Sequence, residues 1–224
     1  MSRPGVIFDV DGTLVDTTYL HTEAWWEALR QHDRDVPMAE IHRAIGMGTE
    51  QILDHLLGAD RDKAQDGEIT VAHDVLYAAW WERLRPLPGA AELLAAVAGR
   101  GLAVVLASAA KESELRVLRR VLGADDVIAA AASSADAAHG NPEPDVLRAA
   151  LERAGLDPQR AVFVGDSVWD VEAAVRLHIP AIGLLCGGTS ADELVKAGAV
   201  ATYDDPADLL RQLDRSAIAD LAAG

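Results

Sequence analysis

Six short apolar runs, each followed by a stretch with helical spacing, constrain what this chain can fold into more than any other feature. They occupy residues 6–10, 102–107, 127–132, 161–164, 181–185 and 200–203. Helical patterns lie at 90–98, 112–122, 145–154, 168–177, 192–197 and 207–213, several of them stopped by glycine. Strands separated by helices need crossover connections, so the sheet is predicted to be mostly parallel and covered on both faces.

The alternation is broken once. Residues 17–85 read as helices without strands, at 17–32, 38–45, 49–57 and 64–85, with Thr49 as an N-cap. Pro86, Pro88 and Gly89 close this block. The expected architecture is therefore α/β: a Rossmann-like doubly wound parallel sheet core, residues 1–16 and 86–224, with an inserted all-helical cap domain, residues 17–85.

Charge narrows the partners. The 224 residues carry 36 acidic against 20 basic side chains, a formal charge of −16. Such a surface repels phosphate polymers and anionic membranes, so neither nucleic acid nor membrane is an expected partner. Cys186 is the single cysteine, which excludes an internal disulfide and reads as a small buried apolar group. No secretory leader pattern opens the sequence and no apolar stretch approaches the ~20 residues that span a bilayer, which predicts a cytoplasmic protein. The abundance of alanine, and of arginine over lysine, points to a bacterial gene rich in G and C.

In an open α/β sheet, ligands bind beyond the carboxyl ends of the strands. The first predicted strand ends in Asp9-Val10-Asp11-Gly12-Thr13, the second in Ser108, and the fourth in Gly165-Asp166-Ser167, with Asp170 a helical turn further on. Any one of these could merely mark a turn. Together they gather carboxylates and a hydroxyl on one edge, where a divalent cation would relieve their repulsion. Oxygen ligands beside a phosphate suit Mg²⁺.

These residues carry a resemblance. Phe8-Asp9-Val10-Asp11-Gly12-Thr13-Leu14 resembles the first motif of the haloacid dehalogenase superfamily, Ser108 its second, and Gly165-Asp166-Ser167-Val168-Trp169-Asp170 its fourth. Their order and the inserted cap agree, and the likeness spans essentially the whole chain. The resemblance implies a Mg²⁺-dependent phosphatase acting on a small phosphorylated metabolite. Asp9 would be the nucleophile and would form an aspartyl-phosphate, while Asp11 would serve as general acid and then base. Mg²⁺ would be held by the Asp9 carboxylate, the Asp11 backbone carbonyl and the Asp166 carboxylate. The Ser108 hydroxyl and the Ala109 amide would hold a phosphate oxygen, and Asp170 would orient the metal site.

One position departs from the pattern. The superfamily usually places lysine immediately before Pro-x-Pro-Asp, where it bonds both nucleophile and phosphate; this chain has Asn141 before Pro142-Glu143-Pro144-Asp145. Asparagine donates hydrogen bonds but carries no charge. Lys111 reaching into its place is one reading, with a solvated lysine at a helix start the expected one. Asn141 is otherwise a substitution that traps substrate, or marks a slow phosphatase or a non-catalytic phosphate-ester binder. The phosphatase reading stands first because all the carboxylates are present.

In the cap, Asp16-Thr17, His21, Ala24 and Trp25 resemble the segment that follows the first motif in β-phosphoglucomutase and its phosphatase relatives, the phosphoglycolate phosphatases among them. Gly46-Met47-Gly48-Thr49 falls where such caps carry a specificity loop, and Arg43 is placed to clamp a distal anion or to lie solvated on its helix. Of the tryptophans Trp25, Trp26, Trp80 and Trp81, at least two are expected to pack the helical core of the cap. A phosphosugar mutase is the nearest enzymatic alternative, but in that branch the fourth motif usually begins Glu-Asp-Ser. A dehalogenase would not normally keep Asp11 as an acid.

Overall fold

The computed structural model describes residues 3–223. The chain runs from β1 (Arg3–Phe8) into four helices, α1 (Thr18–Arg30), α2 (Met38–Ala44), α3 (Thr49–Leu57) and α4 (Asp66–Ala78). It then alternates: α5 (Ala90–Gly99), β2 (Ala103–Ala107), α6 (Glu112–Leu122), β3 (Ile128–Ala132), α7 (Asp145–Ala154), β4 (Leu156–Gly165), α8 (Val168–Arg176) and β5 (Ala181–Leu184). The last elements are α9 (Ala191–Ala197), β6 (Ala201–Tyr203), α10 (Pro206–Arg211) and α11 (Ala217–Ala223).

All pairings in the six-stranded sheet are parallel, in the order β3-β2-β1-β4-β5-β6. The order reverses beside β1, so the crevice between β1 and β4 is the place where this topology binds ligands. The period-two alternation of the strands explains the double winding. Val6, Phe8, Val104, Leu106, Val162 and Val164 point to one face and pack on Leu93, Leu94, Leu118 and Leu209 of α5, α6 and α10. Ile7, Val105 and Phe163 point to the other face and meet Leu147, Ala150, Val171 and Leu194 of α7, α8 and α9.

The inserted helices have a buried cluster of their own, built on Trp25, Leu29, Ile41, Ile52, Leu53 and Ile69. Trp26 packs beside it with the Arg30 guanidinium 5.0 Å above its ring. Trp80 and Trp81 pack on the sheet-side core instead. The pattern predicted one helix over 64–85, but α4 ends at Ala78 and a tight 3₁₀ turn follows at Trp81–Arg83. That turn, with Trp80 N–H donating to Tyr77 C=O at 2.9 Å, swings the chain back toward the sheet and takes both indoles with it.

Other boundaries also moved. β1 begins three residues before the apolar run and stops before Asp9, which leaves Asp9 just past the strand end. β4 extends back to Leu156 through polar residues, with a register shift against β1 between Arg3 and Gly5. Gly48, not Thr49, occupies the N-cap of α3, and no side chain bonds the exposed amides there. Among the described residues, no helix is long and apolar enough to cross a membrane.

Candidate active site

The first loop after β1 decides the geometry. The Asp9 N–H donates to Val164 C=O of β4 at 2.9 Å, which pins the strand end across the switch point. Gly12 then turns with a φ of 79°, where a Cβ would lie 2.6 Å from Asp166 Oδ2. Only glycine takes that conformation and clears that carboxylate at once. Thr13 Oγ1 donates to Asp166 Oδ1 at 2.7 Å and ties the loop to the end of β4.

Two carboxylates two residues apart consequently serve different surroundings. Asp9 joins Asp166 and Asp170 in a buried group whose ligating oxygens lie within 4.8 Å of one another. Asp11 points elsewhere and accepts hydrogen bonds from Thr17 Oγ1 at 2.9 Å and Ser108 Oγ at 3.3 Å.

The buried group is electrostatically strained. Burial first, then the neighbouring aspartates, hold the Asp9 carboxyl well above the usual carboxylate range. Asp166 is raised in the same way, by burial and then by Asp170. Asp170 is pushed up to about 6 by burial, although Ser167 and Asn141 stabilise its charge. A capping box sets its position: Ser167 Oγ donates to Asp170 Oδ2 at 2.6 Å, and the Asp170 N–H returns to Ser167 Oγ at 3.2 Å. Its other oxygen accepts from Asn141 Nδ2 at 2.8 Å. Asn141 thus reaches the cluster from the position expected of the lysine, without bringing a charge. All-oxygen donors that repel one another in a buried pocket fit a hard divalent cation.

Ser108 stands at the end of β2, fully buried, with its hydroxyl oxygen accepting from the Ala110 N–H at 3.0 Å. Ala109 follows in the short loop before α6 and lines a cavity of about 80 Å³ shared with Asp9 and Asp11. His21 and Trp25 of α1 form part of its wall, as do Gly46, Met47 and Thr49 from the loop into α3. Gly48 touches the core instead: its N–H donates to Asn141 C=O at 3.2 Å, and a Cβ on it would lie 2.6 Å from Gly140 Cα. The loop before α3 and the loop before α7 therefore meet backbone to backbone. Arg43 lies away from this cavity, largely exposed and ion-paired to Glu193 at 2.8 Å. Lys111 is at the rim, half exposed, with its ammonium on Asp74 of α4. Cys186 is half-buried, its thiol donating to Gly12 C=O at 3.2 Å.

Sequence reasoning missed a chain of groups behind Asp11. His21 Nε2 lies 3.4 Å from both Asp11 Oδ1 and Glu114 Oε1, and its Nδ1 is 3.2 Å from His73 Nε2. His73 Nδ1 is 3.2 Å from Asp74 Oδ1, and the His73 ring stacks on Trp25 at 4.1 Å. Burial opposes a charge on His21, but the carboxylates of Asp11 and Glu114 facing it outweigh that and raise the imidazole to about 10. Burial lowers His73 to about 4, against the pull of Asp74. These shifts assign the protons: His21 is an imidazolium that donates to Asp11 and to His73, and neutral His73 donates to Asp74.

A pH dependence follows with a definite sign. Because His21 titrates near 6.5 unfolded and near 10 folded, its stabilisation is complete below pH 6.5 and is lost as pH rises toward 10. The thermal midpoint is expected to fall between pH 7 and 9, with this residue contributing at most about 1.4 kcal/mol per pH unit. His21→Asn should flatten that slope; an unchanged slope in thermal melts would refute the assignment.

Comparison with known proteins finds relatives among hydrolases. The model of the haloacid dehalogenase-like hydrolases matches residues 4–178. Over 214 residues the chain is 31% identical to a phosphoglycolate phosphatase of Rhodospirillum rubrum, covering 91% of this chain and 88% of that one. It is 29% identical over 213 residues to a phosphorylated carbohydrates phosphatase of Thermotoga maritima, covering 93% and 97% of the two chains. The crystal structure of a hydrolase from Pseudomonas syringae superposes with a TM-score of 0.90 at 33% identity, over 95% of this chain and 99% of that one.

Proposed function

The chain belongs to the haloacid dehalogenase-like hydrolases, and from that premise we propose that it is a Mg²⁺-dependent phosphatase hydrolysing a small phosphate monoester through an aspartyl-phosphate. The observation that carries this reading is the separation of Asp9 from Asp11. Asp9 sits among the buried carboxylates with Asp166 and Asp170, while Asp11 faces the cavity with Thr17, His21 and Ser108 around it.

The Asp9 carboxylate, the Asp11 backbone carbonyl and the Asp166 carboxylate would hold Mg²⁺, which supplies neutralising charge to the phosphoryl oxygens when bound. Asp170 keeps that group in register through Ser167 and Asn141. The Ser108 hydroxyl and the Ala109 amide hold a phosphoryl oxygen. Asp9 attacks phosphorus as the bond to the leaving oxygen breaks, and Asp11 passes to that oxygen the proton that the His21 imidazolium donates to it. Water then attacks the phosphorus of the aspartyl-phosphate, Asp11 takes its proton, and Asp9 is released. The helical insert of residues 17–85 acts as a cap over this site, in the cytoplasm, with His21, Trp25 and the loop at Gly48 shaping the space for the leaving group. Arg43 has the role of a surface tie to Glu193.

The test is phosphate release from sugar phosphates, phosphoglycolate and nucleoside monophosphates, each with Mg²⁺ and with a chelator. Release that depends on Mg²⁺ is expected. Tight binding without release would support a phosphate-ester binder, and isomerisation without release would support a mutase.

A further inference from the structure

We propose that Glu114 determines specificity, selecting phosphomonoesters whose leaving group presents a hydroxyl or ammonium donor over those that end in a carboxylate. This rests on the phosphatase reading above and narrows its substrate class.

Glu114 lies in the first turn of α6, on the same face as Leu115, Leu118 and Leu122, where an apolar side chain is the ordinary occupant. It is 8% exposed, and its Oε1 is buried without a hydrogen-bond partner among the described residues. His21 Nε2 is 3.4 Å from that oxygen and faces it as a charge, but its hydrogen bond goes to Asp11, so the lone pairs of Oε1 stay open. The carboxylate lines the cavity that also holds Asp9 and Asp11. A buried acceptor left unsatisfied beside a reaction centre is completed by a donor on the bound molecule.

The charges around the cavity point the same way. Asp11, Asp74 and Glu114 face His21 and Lys111, and the Lys111 ammonium is already engaged by Asp74 at the rim. An entering carboxylate would meet Glu114 with no free cation to balance it. A hydroxyl or ammonium would instead fill its open lone pairs.

The experiment measures kcat/KM for phosphate release from glycerol phosphate, ethanolamine phosphate and phosphoglycolate, with an aryl phosphate as a generic substrate. In the wild-type protein at least one donor-bearing ester should exceed phosphoglycolate by about tenfold or more, and the two identify which donor Glu114 prefers. Glu114→Gln should move the preference toward phosphoglycolate by about tenfold, and Glu114→Asp should retain the wild-type order. Phosphoglycolate equal to or better than both donor-bearing esters would overturn the proposal and leave the phosphatase reading intact. So would a preference that folded Glu114→Gln leaves unmoved. No release from any ester, the aryl phosphate included, would overturn the phosphatase reading and the proposal with it. The wild-type panel decides the matter even if neither variant folds.

Discussion

Asp9→Asn is expected to lower the rate of phosphate release by at least about 10⁴-fold, because removing a nucleophile removes the covalent route itself. The same substitution should raise the thermal midpoint of the metal-free protein. Burial and the neighbouring aspartates hold Asp9 well above the usual carboxylate range, so the folded state disfavours its charge, and an amide takes that charge away. Opposite signs in activity and stability distinguish a catalytic carboxylate from one that merely braces the loop. Steady-state assays and melts in the presence of a chelator supply both readouts. Near-normal turnover, or a loss of turnover together with stability, would sink the assignment of Asp9 as nucleophile.

Asn141→Lys is expected to raise kcat/KM by about 10²-fold, the scale on which one preorganised electrostatic contact acts in a transition state. Asn141 already touches Asp170 through Nδ2 at 2.8 Å, so its side chain begins beside the cluster that a lysine would neutralise. Charge, and not side-chain length, should be responsible: Asn141→Met should give no gain. The comparison of the two variants on one phosphate ester checks this. A lysine variant that folds and turns over no faster than the parent would refute the account of this departure from the superfamily pattern.

The strand-end residues were legible because their chemistry and their place in the topology coincide. Asp9, Asp11, Ser108 and Asp166 each follow an apolar run, and a parallel sheet must bring such ends to one edge. Asp170 was legible as an acidic residue one helical turn past the end of the fourth strand, and the structure fixes it there by a capping box with Ser167. The resemblance of the segment after the first motif pointed to His21 and Trp25, and both line the cavity.

His73 and Asp74 were not legible, because they reach His21 through the packing of α4 on α1, which periodicity within either helix does not encode. Glu114 left a faint signal that was passed over: a carboxylate on the leucine face of α6. It was easily missed, because acidic residues are common in the first turn of any helix. Arg43 stayed open between an anion clamp and a solvated helix residue, because its partner Glu193 of α9 comes near only in the tertiary fold.

The backbone contact between Gly48 and Asn141 has a consequence for the timing of turnover. The cap loop rests on the very residue whose side chain holds Asp170, one peptide unit from the glycine that gives Gly48 its clearance. Under the proposed role of residues 17–85 as a cap, lifting them would exchange that contact for water and loosen one support of the carboxylate cluster, so departure of product and relaxation of these groups would be one event.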